Sequence, residues 1–160
     1  MGTITRVAVT VNFADYSAEL MEYGGKIAER NSAELLAVNV IDKRKIEHLR
    51  AVCQDEELKF LTMGTSFSVD NYIEDEAKDR MKRIEDLFRK VVPARVGTRA
   101  IIRIGIPFEQ VLKVVDEEKV DLVVINSRGR SSFQDYMYGT TAEKIFRHCP
   151  VPVLSLNLVK

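Results

Sequence analysis

The chain alternates between two apolar patterns. VAVTV (Val7 to Val11) is a run of small and β-branched residues, the pattern of a strand buried on both faces of a parallel sheet. The period then changes. Leu20, Met21, Gly24, Ile27 and Ala28 recur at steps of three and four, which predicts one apolar helix face from about Ser17 to Arg30, with Asp15 or Ser17 as its cap. LLAVNVI (Leu35 to Ile41) predicts a second strand and RAIIRI (Arg99 to Ile104) a third. Pro107 suits a first helical turn, where its missing N–H costs nothing, and Phe108, Val111, Leu112 and Val115 continue that helix as an apolar stripe. DLVVI (Asp121 to Ile125) predicts a fourth strand, Thr140 to His148 a helix, and VPVLSL (Val151 to Leu156) a last strand. Strands separated by helices need crossover connections, so the fold class is α/β, a five-stranded parallel sheet with helices on both faces.

One region breaks the alternation. From Asp42 to Val69 the chain is charged, then mixed, then small and polar, before a helix carrying Ile73, Ala77, Met81, Ile84, Phe88 and Val91 on one side. A loop of that length without structure is unusual in a compact domain, so Lys45 to Leu61 is expected to be partly helical. The whole reads as a single domain over residues 1–160 with an insertion at about 43–68. That insertion is expected to be a solvated excursion, with a lid or a dimer contact as the functional alternative.

Composition narrows the classes. A chain of 160 residues buries roughly 70% of its unfolded surface and needs no metal or disulfide to fold. Lys plus Arg and Asp plus Glu are both 24, a balance that argues against a nucleic-acid partner, for which a basic face is the usual footprint. Cys53 and Cys149 stand far apart with no metal-ligand spacing and read as small buried hydrophobes in a reducing compartment. The start of the chain has neither a leader pattern nor a long apolar span, so the expectation is a cytoplasmic protein with no membrane partner.

In an open parallel sheet, ligands bind beyond the carboxyl ends of the strands. The candidates are therefore Thr10, Val11 and Asn12 after the first strand, Val40 to Asp42 after the second, Gly105 after the third, and Asn126 to Gly129 after the fourth. The last group is the most informative. A short NSRG turn can aim successive N–H groups into one concavity, and Gly129 admits a close approach. Gly139, Thr140 and Thr141 then open a helix whose free N–H groups and positive dipole end form a second anion site. Arg128 and Arg130 add positive charge beside it. The same residues also read as an ordinary turn and helix cap. GxxxxGK[ST] is missing, which disfavours a P-loop, and so is GxGxxG after the first strand.

Asn126 to Thr140, followed by AEKIFRHCPVPVLSL, resembles the nucleotide-binding signature of the universal stress protein family: Gly, two residues, Gly, nine residues, Gly, then Ser or Thr. Gly129, Gly139 and Thr140 match in type and spacing, and Asn126 stands at the first glycine. VAVTVNFADYS, VNVID and IRIGIPFEQVLKVVDEEKVDLVVI extend the resemblance over essentially the whole chain. It implies a Rossmann-like fold of the adenine nucleotide alpha hydrolase type, binding ATP or a related adenine nucleotide, alone or with Mg²⁺. By position, Gly129, Arg130, Gly139, Thr140 and Thr141 would hold phosphates, while Thr10, Val11, Asn12 and Val40 would line the adenine and ribose. It also implies a homodimer paired through Val151 to Leu156, whose edge is otherwise open.

Two positions depart from the family pattern. Asn12 replaces the usual Asp, so a charged acceptor becomes an amide that both donates and accepts. Asn126 replaces a glycine, and Asn is the residue that most readily follows glycine into the left-handed region. Hydrolysis needs a positioned nucleophile and usually a metal. Asp15 and Asp42 are the carboxylates nearest strand ends, and His48 and His148 read as exposed or capping residues. The expectation is a nucleotide-binding regulatory protein of the stress response, not an enzyme; the alternatives are a dimeric interaction module without nucleotide, and a slow ATPase.

Overall fold

The computed structural model describes residues 2–54, 68–127 and 140–158. Its elements run β1 (Arg6–Thr10), α1 (Ser17–Asn31), β2 (Glu34–Asp42), α2 (Lys43–Gln54), α3 (Val69–Val91), β3 (Thr98–Gly105), α4 (Pro107–Glu117), β4 (Leu122–Asn126), α5 (Thr140–His148) and β5 (Val153–Leu156). The five strands form one sheet in the order β3-β2-β1-β4-β5. All four pairings are parallel, as the helix-separated strands require.

Alternation along β1 divides the core in two. Val7 and Val9 pack on one face with Leu20, Met21 and Ala28 of α1 and with Ile84 and Phe88 of α3. Ala8 points the other way, into a cluster with Val111, Val114 and Val115 of α4 and Ala142 and Ile145 of α5. Burial on both faces is why β1 reads as a continuous apolar run.

Several boundaries move. β5 begins at Val153, two residues later than expected, with Pro152 contributing only its carbonyl, to Val123 N–H. Neither Asp15 nor Ser17 caps α1. Its N-cap is Tyr16, with no side-chain cap bond, and Ser17 is a buried helical residue. In α4 the inward residue is Val114 in addition to Val111 and Val115, while Leu112 is only half-buried. The expected helix in the 43–68 insertion is present as α2 from Lys43 to Gln54; residues 55–61 of that expectation lie outside the described residues. In α3 only Ile84 and Phe88 are buried, and Val91 packs half-buried against the same core.

Asp121 ties together the amino ends of β1 and β4. Its Oδ2 accepts from Thr5 N–H at 2.7 Å, Thr5 Oγ1 at 2.8 Å and Arg6 N–H at 3.0 Å. These donors, the Thr5 N–H foremost, hold its carboxyl below the usual aspartate range.

Candidate functional site

The strand order places β2 and β3 on one side of β1, and β4 and β5 on the other. The topology therefore switches between β1 and β4, which is where an open parallel sheet forms its ligand crevice. Pairing between the two strands runs from Val7↔Leu122 to Val9↔Val124. Thr10 to Asn12 and Ile125 to Ser127 thus flank the opening. Because β4 and β5 are parallel, the intervening α5 starts at this same edge, with Thr140 exposed and Thr141 half-buried in its first turn. Arg128, Gly129, Arg130 and Gly139 lie outside the described residues.

On the β1 side, Val11 is buried and its N–H donates to Val38 O at 2.8 Å, extending the ladder one residue past the strand. The chain then turns sharply. Asn12 Oδ1 accepts from Ala14 N–H at 3.1 Å and from Ser17 Oγ at 3.4 Å, and its Nδ2 donates to Tyr16 Oη at 2.6 Å. This use of both ends of the amide suits Asn at a position where the family pattern has Asp. Phe13 follows with φ 58°, a left-handed conformation, and the Arg83 guanidinium lies 4.0 Å above its ring centroid. Between this loop and α3 is a surface groove of about 320 Å³, lined in part by Phe13, Ala14, Arg83, Leu87 and Lys90. None of the nucleotide-site residues predicted from sequence lines it, although Asp15, one of the two carboxylates near strand ends, does.

On the β4 side, the structure corrects the expectation for Asn126. It is the last residue of β4, in register with Leu156, and its φ is not positive. Strand pairing fixes the backbone there, so no left-handed turn is required. Its buried side chain accepts from Leu158 N–H at 3.0 Å, while Ser127 donates to Leu156 O through its N–H at 2.8 Å and its Oγ at 3.1 Å. Asn126 and Ser127 are thus tied to the chain leaving β5.

On the β2 side, Val40 is half-buried. Asp42 is engaged by Arg44, through Nε at 2.9 Å and an NH2 contact at 2.5 Å, and that bond holds its carboxyl below the ordinary range. Asp15, His48 and His148 are exposed. Cys53 and Cys149 are half-buried rather than buried, and desolvation pushes the Cys149 thiol up.

Two residues were missed. Asn39, 3% exposed, stands in the middle of β2; its Nδ2 donates to Val11 O at 2.6 Å, and its Oδ1 accepts from Arg80 of α3 at 2.9 Å. A polar residue in the apolar run LLAVNVI was itself a signal, because a buried amide needs partners. Nothing local marked Arg80, 41 residues away.

The universal stress protein family matches residues 3–156. The chain belongs to that family. Universal stress protein MJ0577 from Methanocaldococcus jannaschii is 24% identical over 160 residues, covering 93% of this chain and 92% of that protein. Its solved structure superposes with a TM-score of 0.73 at 21% identity over 99% of both chains. Two ligand-bound universal stress protein structures share the fold. One, in complex with cAMP, has a TM-score of 0.63 at 16% identity, covering 97% of this chain and 98% of that one. The other, from Archaeoglobus fulgidus in complex with dAMP, has a TM-score of 0.63 at 15% identity, covering 96% and 98%. Fold and family are therefore as the sequence pattern indicated.

Proposed function

We propose that the protein binds an adenine nucleotide, ATP or a close relative, in the crevice between β1 and β4, and acts in the stress response as a regulatory protein without substantial turnover. The observation that carries this reading is the carboxyl edge itself: a topological switch point with buried Val11 and exposed Asn12 on its β1 side, half-buried Val40 on the adjoining β2, and the α5 N-terminus at the same edge. Apolar valines suit a base, and the α5 N–H groups with Thr140 and Thr141 suit phosphate. The adenine nucleotides bound by the two related proteins support the ligand class. Little turnover is supported by the neutral Asn12 and by the engagement of Asp42 with Arg44, which occupies one of the two carboxylates near strand ends.

The reading extends to a cytoplasmic homodimer. β5 is an outer strand of the sheet, and the segment Val151 to Leu156 suits antiparallel pairing with a second copy. No helix among the described residues is long and apolar enough to cross a membrane.

Equilibrium titration with ATP, ADP, AMP and cAMP, with and without Mg²⁺, tests the proposal. Saturable binding is expected, weakened when valine replaces Gly139 of the sequence signature. Failure of every adenine nucleotide to bind at millimolar concentration overturns it and favours the dimeric interaction module. ATP-dependent product release that a Thr141→Val change abolishes would overturn the non-enzymatic part.

A further inference from the structure

Glu76, Arg80, Asn39 and the carbonyls of Val11 and Val40 form one connected chain of hydrogen bonds. Glu76 Oε1 accepts from Arg80 Nε at 2.7 Å, one helical turn away, with side-chain exposures of 28% and 19%. An Arg80 terminal nitrogen donates to Asn39 Oδ1 at 2.9 Å and more weakly to Val40 O at 3.4 Å. Asn39 Nδ2 completes the chain to Val11 O at 2.6 Å. The Val11 carbonyl belongs to a segment flanking the crevice, and the Val40 carbonyl to the end of the neighbouring β2.

We propose that Arg80 is a positioning residue for the nucleotide base, acting through Asn39 to fix the backbone of Val11 and directly on the Val40 carbonyl; this rests on the adenine-nucleotide reading above. The chemistry of the donors sets the geometry. A guanidinium has donors and no acceptor, so the Asn39 atom facing it must be the oxygen. The NH2 group is then turned to Val11, whose carbonyl it captures. The opposite orientation would set donor against donor at Arg80 and carbonyl against carbonyl at Val11. Arg80 therefore selects the amide orientation, and Glu76 aims Arg80. Val11 leads into the Asn12 turn, so this one bond holds the plane of the peptide from which Asn12 projects. Arg80 thus links α3 to the floor of the site without itself entering the crevice between β1 and β4.

The test compares the full-length protein with Arg80→Met, Arg80→Lys and Asn39→Asp, by equilibrium titration with ATP, AMP and GTP and by thermal melting of the free proteins. Asn39→Asp keeps a partner for Arg80 but removes the donor to Val11. Arg80→Met and Asn39→Asp are each expected to weaken ATP and AMP alike, on the order of ten-fold, the worth of one hydrogen bond. They should also narrow the preference for ATP over GTP, because the two bases differ in the edge groups that a fixed backbone reads. Arg80→Lys should recover part of both. Unchanged affinity and unchanged ATP-to-GTP preference in Asn39→Asp overturns the positioning role while leaving nucleotide binding intact. A loss of melting temperature with the ATP-to-GTP ratio preserved overturns it likewise, since that is what a purely structural bond would give. If the unaltered protein binds no adenine nucleotide, the functional reading fails first and this inference with it.

Discussion

Gly24 and Gly25 are neighbours on α1, and substituting each with alanine separates packing from helix propensity. Alanine is favoured over glycine inside a helix by about 0.5–1 kcal/mol, and both positions share that gain. Their surroundings differ. A Cβ at Gly24 would lie 2.3 Å from Val9 Cγ2 and 3.3 Å from Leu35 Cδ1, both on fully buried, close-packed side chains of the sheet. Val9 is β-branched and held by its strand, so it cannot rotate away, and relief requires α1 to lift from β1. Overpacking of this kind costs about 1–3 kcal/mol, which leaves Gly24→Ala net destabilising by up to about 2.5 kcal/mol. A Cβ at Gly25 meets Val92 Cγ1 and Cγ2 at 3.4 Å, an ordinary contact. Gly25→Ala should therefore stabilise by about 0.5–1 kcal/mol. Urea unfolding of the two variants, with m-values checked for constancy, reads the difference directly. Variants of equal stability, or Gly24→Ala the more stable, would refute the claim that close contact between α1 and β1 requires glycine at this position.

Two further outcomes follow from the packing and from Asp121. Ile84→Ala, at a fully buried position of α3, should cost about 2–5 kcal/mol, whereas the same change at half-buried Ile73 should cost less than half as much; equal losses in urea titration would mean that α3 is anchored along its whole length. The depressed carboxyl of Asp121 gives stability that is fully present above the unfolded aspartate value of about 4 and is lost as pH falls through its lower folded value. Asp121→Asn does not titrate, so its stability should fall less steeply below about pH 4 than that of the unaltered protein, and identical acid profiles would contradict the role of the Thr5 and Arg6 donors.

The strand and helix segments were legible because their signals are local. Val7, Ala8 and Val9 alternate across the sheet whichever strands lie beside them, and the three-and-four spacing of Leu20, Met21, Gly24 and Ala28 marks one face of a helix before its partner is known. The spacing of Gly129, Gly139 and Thr140 was likewise a sequence property, and the family it pointed to is the one that matches residues 3–156. Less legible were residues whose role depends on a bond across the fold. Ser17 looked like a cap but is buried and donates to Asn12, and Asn126 looked like a glycine substitute but sits in β4 bonded to Leu158.

By itself, then, the sequence determined the α/β class, the order of elements along the chain and the strand ends at which a ligand site can form, because hydrophobic period, helix-start chemistry and glycine spacing act over a few residues. Only the tertiary structure decided the order β3-β2-β1-β4-β5, and with it that the switch point falls between Asn12 and Asn126. It alone also joined Arg80 to Asn39 and set Gly24 rather than Gly25 against Val9. Those are contacts between residues far apart in the chain, fixed when the helices settle on the two faces of the sheet.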